Sequence, residues 1–145
     1  MTTIAAILKH KGYDVASVRP DVTVAEVARL LSGRRIGAVV VQDAAEHLLG
    51  IVSERDIIHA LAANGATALE MTAGQLMTRA LQTATPAMTI PQAMTVMTAG
   101  RFRHLPVVEH GALLGIVSIG DIVKARIMDQ DQEVDSLRAY VAGAA

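Results

Sequence analysis

The chain has 145 residues, 13 Lys and Arg against 14 Asp and Glu, and 52% hydrophobic residues with only 2% aromatic. That length and aliphatic content suffice to bury a core and exclude a disordered chain. Balanced charge, with no Trp, one Phe and two Tyr, lacks the basic excess and stacking faces of a nucleic-acid binder, and the absence of Cys excludes a disulfide framework, a thiolate nucleophile and a Cys-based metal site. No run approaches the ~18 apolar residues needed to cross a bilayer. The opening MTTIAAILKHKG places its positive charges after its short apolar stretch, unlike a secretory leader. A soluble, cytoplasmic protein without membrane or nucleic-acid partners is expected.

A helix is expected near the N-terminus, followed by a short extended segment at Val15–Val18 that ends before Pro20. Thr23 to Glu26 has capping-box spacing, and Val24, Val27, Leu30 and Leu31 lie on one face of the helix it starts. Strands are predicted at Ile36–Val41 and Leu48–Ser53 around a polar turn, then a helix starting near Asp56 and ending at Asn64-Gly65. Thr72 to Gln75 caps a short linking turn. A second series follows: an extended segment at Leu81–Ala84, Pro86, and a capping box from Thr89 to Gln92. Its helix carries Ile90, Ala93, Val96 and Met97 on one face; strands at Leu105–Val108 and Leu113–Ser118 and a helix near Asp121 complete it. Beyond Asp121 that helix runs toward Gly143 with Val123, Ile127, Val134, Leu137 and Val141 near heptad spacing, interrupted by Gln130.

The two series are copies. LLGIVSERDI from Leu48 and LLGIVSIGDI from Leu113 agree at eight of ten positions, 65 residues apart. Upstream, Pro20 and Pro86, Thr23 and Thr89, Arg35 and Arg101, and Val41 and Val107 match at a spacing of 66. The change of one marks a single-residue difference in the turn between Asp43 and Leu48. Two copies suggest a closed pair rather than a solenoid.

Two strand–helix–strand–strand–helix copies, each with Gly, two hydrophobics, Ser, two variable residues and Asp at its last helix, resemble a tandem CBS-domain pair, or Bateman module. The likeness covers roughly residues 14 to 127, and the segment Arg101 to Val108 resembles a second copy. The resemblance implies an α+β fold of two β-α-β-β-α repeats related by a pseudo-two-fold axis, as in stand-alone bacterial-type CBS proteins. Residues 1–66 would form the first repeat with its N-terminal helix, 67–128 the second, and 129–145 a helical tail.

The resemblance also implies two clefts for adenosine-containing ligands: AMP foremost, with ADP, ATP, NAD or S-adenosylmethionine as alternatives. One cleft would use Ser53, Asp56, Val18, Gly37, Ala38 and Val39. The other would use Ser118, Asp121, Ala84, Thr85, His104, Leu105 and Pro106. The Asp would take the ribose hydroxyls and the Ser would face phosphate. The chemistry suits these residues, since a carboxylate accepts two hydrogen bonds from a diol and a helix N-terminus favours an anion. Gly50 and Gly115 would admit close backbone approach. Arg55, and Arg101, Arg103 and His104, are read as phosphate contacts or as surface charge. Glu54-Arg55 against Ile119-Gly120 predicts unequal clefts.

Ser-x-x-Asp before an apolar run is equally a capping box, and the two roles are compatible. Five of the seven Met lie between Met71 and Met97 and are read as core filler. No nucleophile elbow, Walker loop, GxGxxG or metal-type His spacing occurs, so neither catalysis nor a metal is expected. The expected function is a regulatory sensor that acts on an effector protein in trans, as a homodimer. An interaction module with empty clefts, and an NAD(H) sensor, are the alternatives.

Overall fold

The computed structural model describes residues 2–79 and 82–144. The chain divides into two compact units. One holds Asp14 to Gln82; the other joins the N-terminal residues up to Tyr13 to the chain from Thr83 onward.

In the first unit, helix α2 (Val24–Arg34) starts at Thr23, whose side chain accepts the Glu26 amide, and ends at Arg35 in the left-handed region at φ 53°. The return bond from Glu26 that would complete a capping box is not made. Strands β1 (Ser17–Val18), β2 (Ala38–Gln42) and β3 (Leu48–Ser53) form a sheet in that order, β1 parallel and β3 antiparallel to β2. Helix α3 (Glu54–Asn64) follows, with Gly65 as its C-cap at φ 66°, then a 3-10 turn (Gly65–Glu70) and the short helix α4 (Ala73–Leu76). Thr72 and Gln75 form the expected reciprocal cap on α4. Val24, Val27 and Leu31 of α2 pack on Val39, Val41 and Val52 of the sheet with Ile57, Ala73 and Met77. The apolar positions expected at helical and alternating spacing are the ones that meet.

The second unit repeats this plan. Helix α5 (Ile90–Gly100) has a complete capping box between Thr89 and Gln92 and a left-handed C-cap at Arg101. Strands β4 (His104–Glu109) and β5 (Ala112–Ser118) pair antiparallel, and helix α6 (Ile119–Ala144) follows. Ala84 makes a single parallel bridge to Val107, where β1 pairs Val41 in the first unit. Leu81, the start of the extended segment expected there, lies outside the described residues. Both hairpins bulge at matching places, Val41/Gln42 and Val107/Val108. From there Gln42 pairs Leu48 and Val108 pairs Leu113, so the single-residue difference falls in the turn, as expected. The shorter turn places His110 and Gly111 at φ 52° and 78°, a two-residue connection that needs both in the left-handed region.

The N-terminal helix α1 (Ile4–Lys11), grouped by sequence with the first copy, packs in the unit of the second. Ile4, Ile7 and Leu8 join Ile90, Ala93, Met97, Leu105, Val107, Val117 and Ile122 in its core. Its backbone attachment mirrors that of α4. The Ile90 amide donates to Thr2 O and the Ile4 amide to Met88 O, as the Val24 amide does to Met71 O and the Ala73 amide to Val22 O. Each short helix therefore precedes one copy in sequence and completes the other copy's unit. The burial of three large apolar side chains decides the matter, each worth about 1.5–3 kcal/mol.

Met77 and Met97 are buried and Met71 and Met88 pack against the cores, as core filler should. Met94 departs from that expectation, at 40% exposed on α5. Among the described residues no helix is long and apolar enough to cross a membrane.

Candidate functional site

Sequence places Ser53 and Asp56, and Ser118 and Asp121, at corresponding points, and the backbone brings each pair together by one device. The last residue of a strand becomes the N-cap of the next helix. Ser53 Oγ accepts the Asp56 amide at 3.3 Å while Asp56 Oδ2 accepts the Ser53 amide at 2.8 Å and its hydroxyl at 3.1 Å. Ser118 Oγ accepts the Asp121 amide at 3.1 Å, and Asp121 Oδ2 accepts the Ser118 amide at 2.8 Å. Both carboxylates are half-buried and fixed through Oδ2.

The helix starts are less open than the sequence suggested. The Glu54 amide donates to Gly37 O at 3.0 Å and the Ile119 amide to Arg103 O at 2.8 Å. With the third amide taken by the serine, two of the first three donors of each helix are satisfied within the unit. The serine hydroxyls are engaged in the caps in the same way. An anion at these termini would meet one amide and the helix dipole rather than an open nest.

The other expected site residues divide by position. Ala38 stands opposite Ser53 across the strand pair and His104 opposite Ser118, while Gly37 touches the helix start through its carbonyl. Val39 and Leu105 are fully buried in their cores, and Pro106 is buried with its carbonyl accepting the Ala84 amide at 2.9 Å. These residues offer a ligand backbone rather than side chains. Val18 and Ala84 face Val41 and Val107, three residues along from Ala38 and His104 and on the far side of the strand, about 10 Å away. Thr85, Arg55, Arg101 and Arg103 are exposed. Gly50 and Gly115 do not hold space for a ligand. A Cβ at Gly50 would lie 2.7 Å from Met77 Sδ and 2.8 Å from Thr78 O, and one at Gly115 2.9 Å from Leu8 Cδ2. The chain's own lead-in segments use that room.

One residue escaped the sequence reading. Lys11, at the end of α1, donates to Asp121 Oδ2 at 2.6 Å and to Ile116 O at 2.9 Å. Burial pushes the Asp121 carboxyl up, but the Lys11 and Ser118 hydrogen bonds and the Lys11 charge outweigh it and hold it below the usual carboxylate range. Asp56 has no such cation: among the described residues only Ser53 contacts its carboxylate. Thr3 matches Thr72 at a spacing of 69, which equates α1 with α4, but only the structure shows that each of these helices completes the other copy's unit and so brings Lys11 to Asp121. Lys11 also borders a cavity of about 370 Å³ between α1 and α6, with His10, Lys124 and Asp129 among its polar walls.

The CBS domain family model matches the chain at residues 6–63 and 73–127. The mitochondrial CBS domain-containing protein CBSX3 of Arabidopsis thaliana is 33% identical over 150 residues, spanning 98% of this chain and 73% of that protein. The crystal structure of the CBS-domain containing protein ATU1752 from Agrobacterium tumefaciens superposes with a TM-score of 0.84 at 47% identity, covering 86% of this chain and 93% of that one. The CBS domain pair of protein MJ0100, solved in complex with 5′-methylthioadenosine and S-adenosyl-L-methionine, superposes with a TM-score of 0.77 at 25% identity, covering 90% and 98%. With both copies matched and the fold shared, the chain belongs to the CBS domain family, as a tandem CBS-pair regulatory module.

Proposed function

We propose that this CBS pair is a non-catalytic cytoplasmic sensor of an adenosine-containing ligand, AMP foremost, that works as a homodimer on an effector protein in trans. ADP, ATP, NAD and S-adenosylmethionine are the competing ligands. The observation that carries the reading is the pair of half-buried carboxylates, Asp56 and Asp121. Each is held rigidly at a helix start through Oδ2 and keeps Oδ1 for a ribose diol. The MJ0100 pair, with its two adenosine-containing ligands, supports the ligand class. Ligand would act by linkage, shifting the packing of the copies that the effector reads.

The two clefts differ in readiness. Among the described residues no cation hydrogen-bonds the Asp56 carboxylate, and exposed Arg55 flanks it, so a nucleotide meets it without displacing an ion pair. Asp121 is occupied by Lys11, so a diol must displace that ammonium or share the carboxylate with it. Asp56 is therefore the tighter site.

Thermal unfolding with AMP, ADP, ATP, NAD, NADH and S-adenosylmethionine tests this on wild type, Asp56→Ala and Asp121→Ala. A ligand at ~100 times its dissociation constant adds about 2.7 kcal/mol, roughly 5–10 °C at this size. The shift should fall to the small residue supplied by the second cleft in Asp56→Ala and persist nearly whole in Asp121→Ala. No shift with any ligand at millimolar concentration would sink the sensor reading and leave an interaction module.

A further inference from the structure

Helix α6 begins packed in the core of its unit and ends fully exposed. Ile122 is 1% exposed and joins the core, with Ala125 packed against it. From Asp131 to Gly143 every residue is exposed. A lone helical segment of that length is marginal in water, because helices draw most of their stability from a packed apolar face. Yet the exposed surface carries one: Val123, Ile127, Val134, Leu137 and Val141 are 47%, 52%, 47%, 63% and 61% exposed.

Their order is a heptad. Val123, Gln130 and Leu137 occupy d positions, and Ile127, Val134 and Val141 occupy a positions, over six successive layers. All three a residues are β-branched, which favours two parallel strands where Leu stands at d, as Leu137 does; Val123 and Gln130 fill the other two d positions. Gln130 is the single polar layer among the six and costs the seam some stability. The flanking charges agree. In a parallel pair, a g residue faces the e residue five positions on in the partner helix. Arg126 (g) meets Asp131 (e), and Glu133 (g) meets Arg138 (e), so opposite charges face each other on both sides of the seam. An antiparallel pairing over the same span would instead set Lys124 against Arg138 and Asp131 against its own copy.

We propose that α6 pairs with α6 of a second copy as a parallel, in-register, two-stranded coiled coil from Val123 to Val141. This deepens the homodimer element of the proposed function by naming its surface, orientation and register, and it requires no ligand. A parallel seam would set two modules side by side with the same end outward.

Sedimentation of the full chain without ligand tests it. Wild type should be a dimer at tens of micromolar, and Val134→Asp with Leu137→Asp should weaken it at least ~100-fold. Both positions are exposed, so the thermal transition of the folded units should survive, which separates dissociation from unfolding. The chain has no Cys, so Ile127→Cys and, separately, Val141→Cys each report on orientation: both should oxidise to homodimers. The charge rule has its own arm. Asp131→Lys with Glu133→Lys, and Arg126→Glu with Arg138→Glu, should each disfavour self-pairing, and mixing the two variants should restore a heterodimer. A monomeric wild type, a dimer indifferent to the paired Asp substitutions, or cysteines that never join like to like would overturn the proposal. Nucleotide-induced thermal shifts are read separately, so either inference can fail without the other.

Discussion

Lys11 Nζ stands 2.6 Å from Asp121 Oδ2, across 110 residues of sequence, while among the described residues the corresponding carboxylate of Asp56 is paired with no cation. The contact ties the end of α1 to the start of α6 within one unit. Its side chains are 35% and 24% exposed, so solvent screens it and its net contribution stays below about 1 kcal/mol. Under the proposed function its larger effect falls on ligand access to Asp121. Replacing Lys11→Met keeps the apolar stem and removes the ammonium. Stability should fall by about 0.5 kcal/mol. In an Asp56→Ala background, which isolates the second cleft, the adenine-ligand thermal shift should increase. A smaller shift would mean that Lys11 helps to hold the ligand, as a phosphate partner, rather than obstructing it.

The same ion pair sets a pH dependence whose sign follows from the depressed Asp121 pKa. Burial opposes ionisation, but the Lys11 and Ser118 hydrogen bonds prevail, so the folded carboxyl titrates below its unfolded value of about 3.9. The group then binds more protons unfolded than folded as pH falls through that window. Its stabilisation is complete above about pH 5 and is lost as pH drops through the folded pKa. Asp121→Asn should therefore lower stability by about 1 kcal/mol at pH 7, with the exposure discounted, and by distinctly less at pH 3. Urea denaturation at the two pH values measures the difference. An equal loss at both would assign the effect to the cap geometry alone.

The fold was largely legible because the duplication made each element testable against its copy. Strand β3 falls at Leu48–Ser53 as expected, and the caps at Ser53, Thr72 and Thr89 are made by the expected residues. The partner of α1 was not legible. Periodicity reports which face of a helix is apolar, not which distant sheet covers it, and chain proximity suggested the wrong one. Of the candidate site, the cap geometry was legible at Ser53, Asp56, Ser118 and Asp121, because it is local to one helical turn. The site was illegible at Lys11, a long-range contact, and at Gly50 and Gly115. There the missing Cβ indicated a close approach without saying that Met77 and Leu8 were the neighbours.

Those two glycines respond differently to the same substitution. Gly50 has backbone overhead: a Cβ would sit 2.8 Å from Thr78 O, on the bridge where the Ile51 and Thr78 amides exchange hydrogen bonds of 3.1 and 2.9 Å. Backbone cannot move aside without straining that bridge. At Gly115 the three nearest atoms all belong to the Leu8 side chain, the closest at 2.9 Å, and that side chain can turn to another rotamer. Gly50→Ala should destabilise by about 2–3 kcal/mol, in the overpacking range, and Gly115→Ala by about 1. A second change separates steric from conformational effects: Leu8→Ala should lose less in the Gly115→Ala background than alone. Chemical denaturation of the four proteins gives the coupling, and strict additivity would remove the steric explanation.

The ends of α2 and α5 offer a gain rather than a loss. Arg35 and Arg101 hold φ 53° and 56°, the left-handed cap conformation in which a side chain costs about 1–2 kcal/mol relative to the right-handed region. Glycine removes that strain but frees the unfolded chain, an opposing effect of about 0.4–1 kcal/mol. Strain relief is the larger, so Arg35→Gly should stabilise by about 0.5 kcal/mol. The exposed Arg35 guanidinium has no hydrogen-bond partner among the described residues, so little else is lost. Arg101 is the less clean site, because the Phe102 ring fills the space beside Gly100, within 2.4 Å of where a Cβ would stand, and a freer backbone at Arg101 would loosen that ring. Arg101→Gly should accordingly gain less. Thermal denaturation of both variants orders them, and a destabilised Arg35→Gly would show that its arginine contributes through a contact made only in solution or in an assembly.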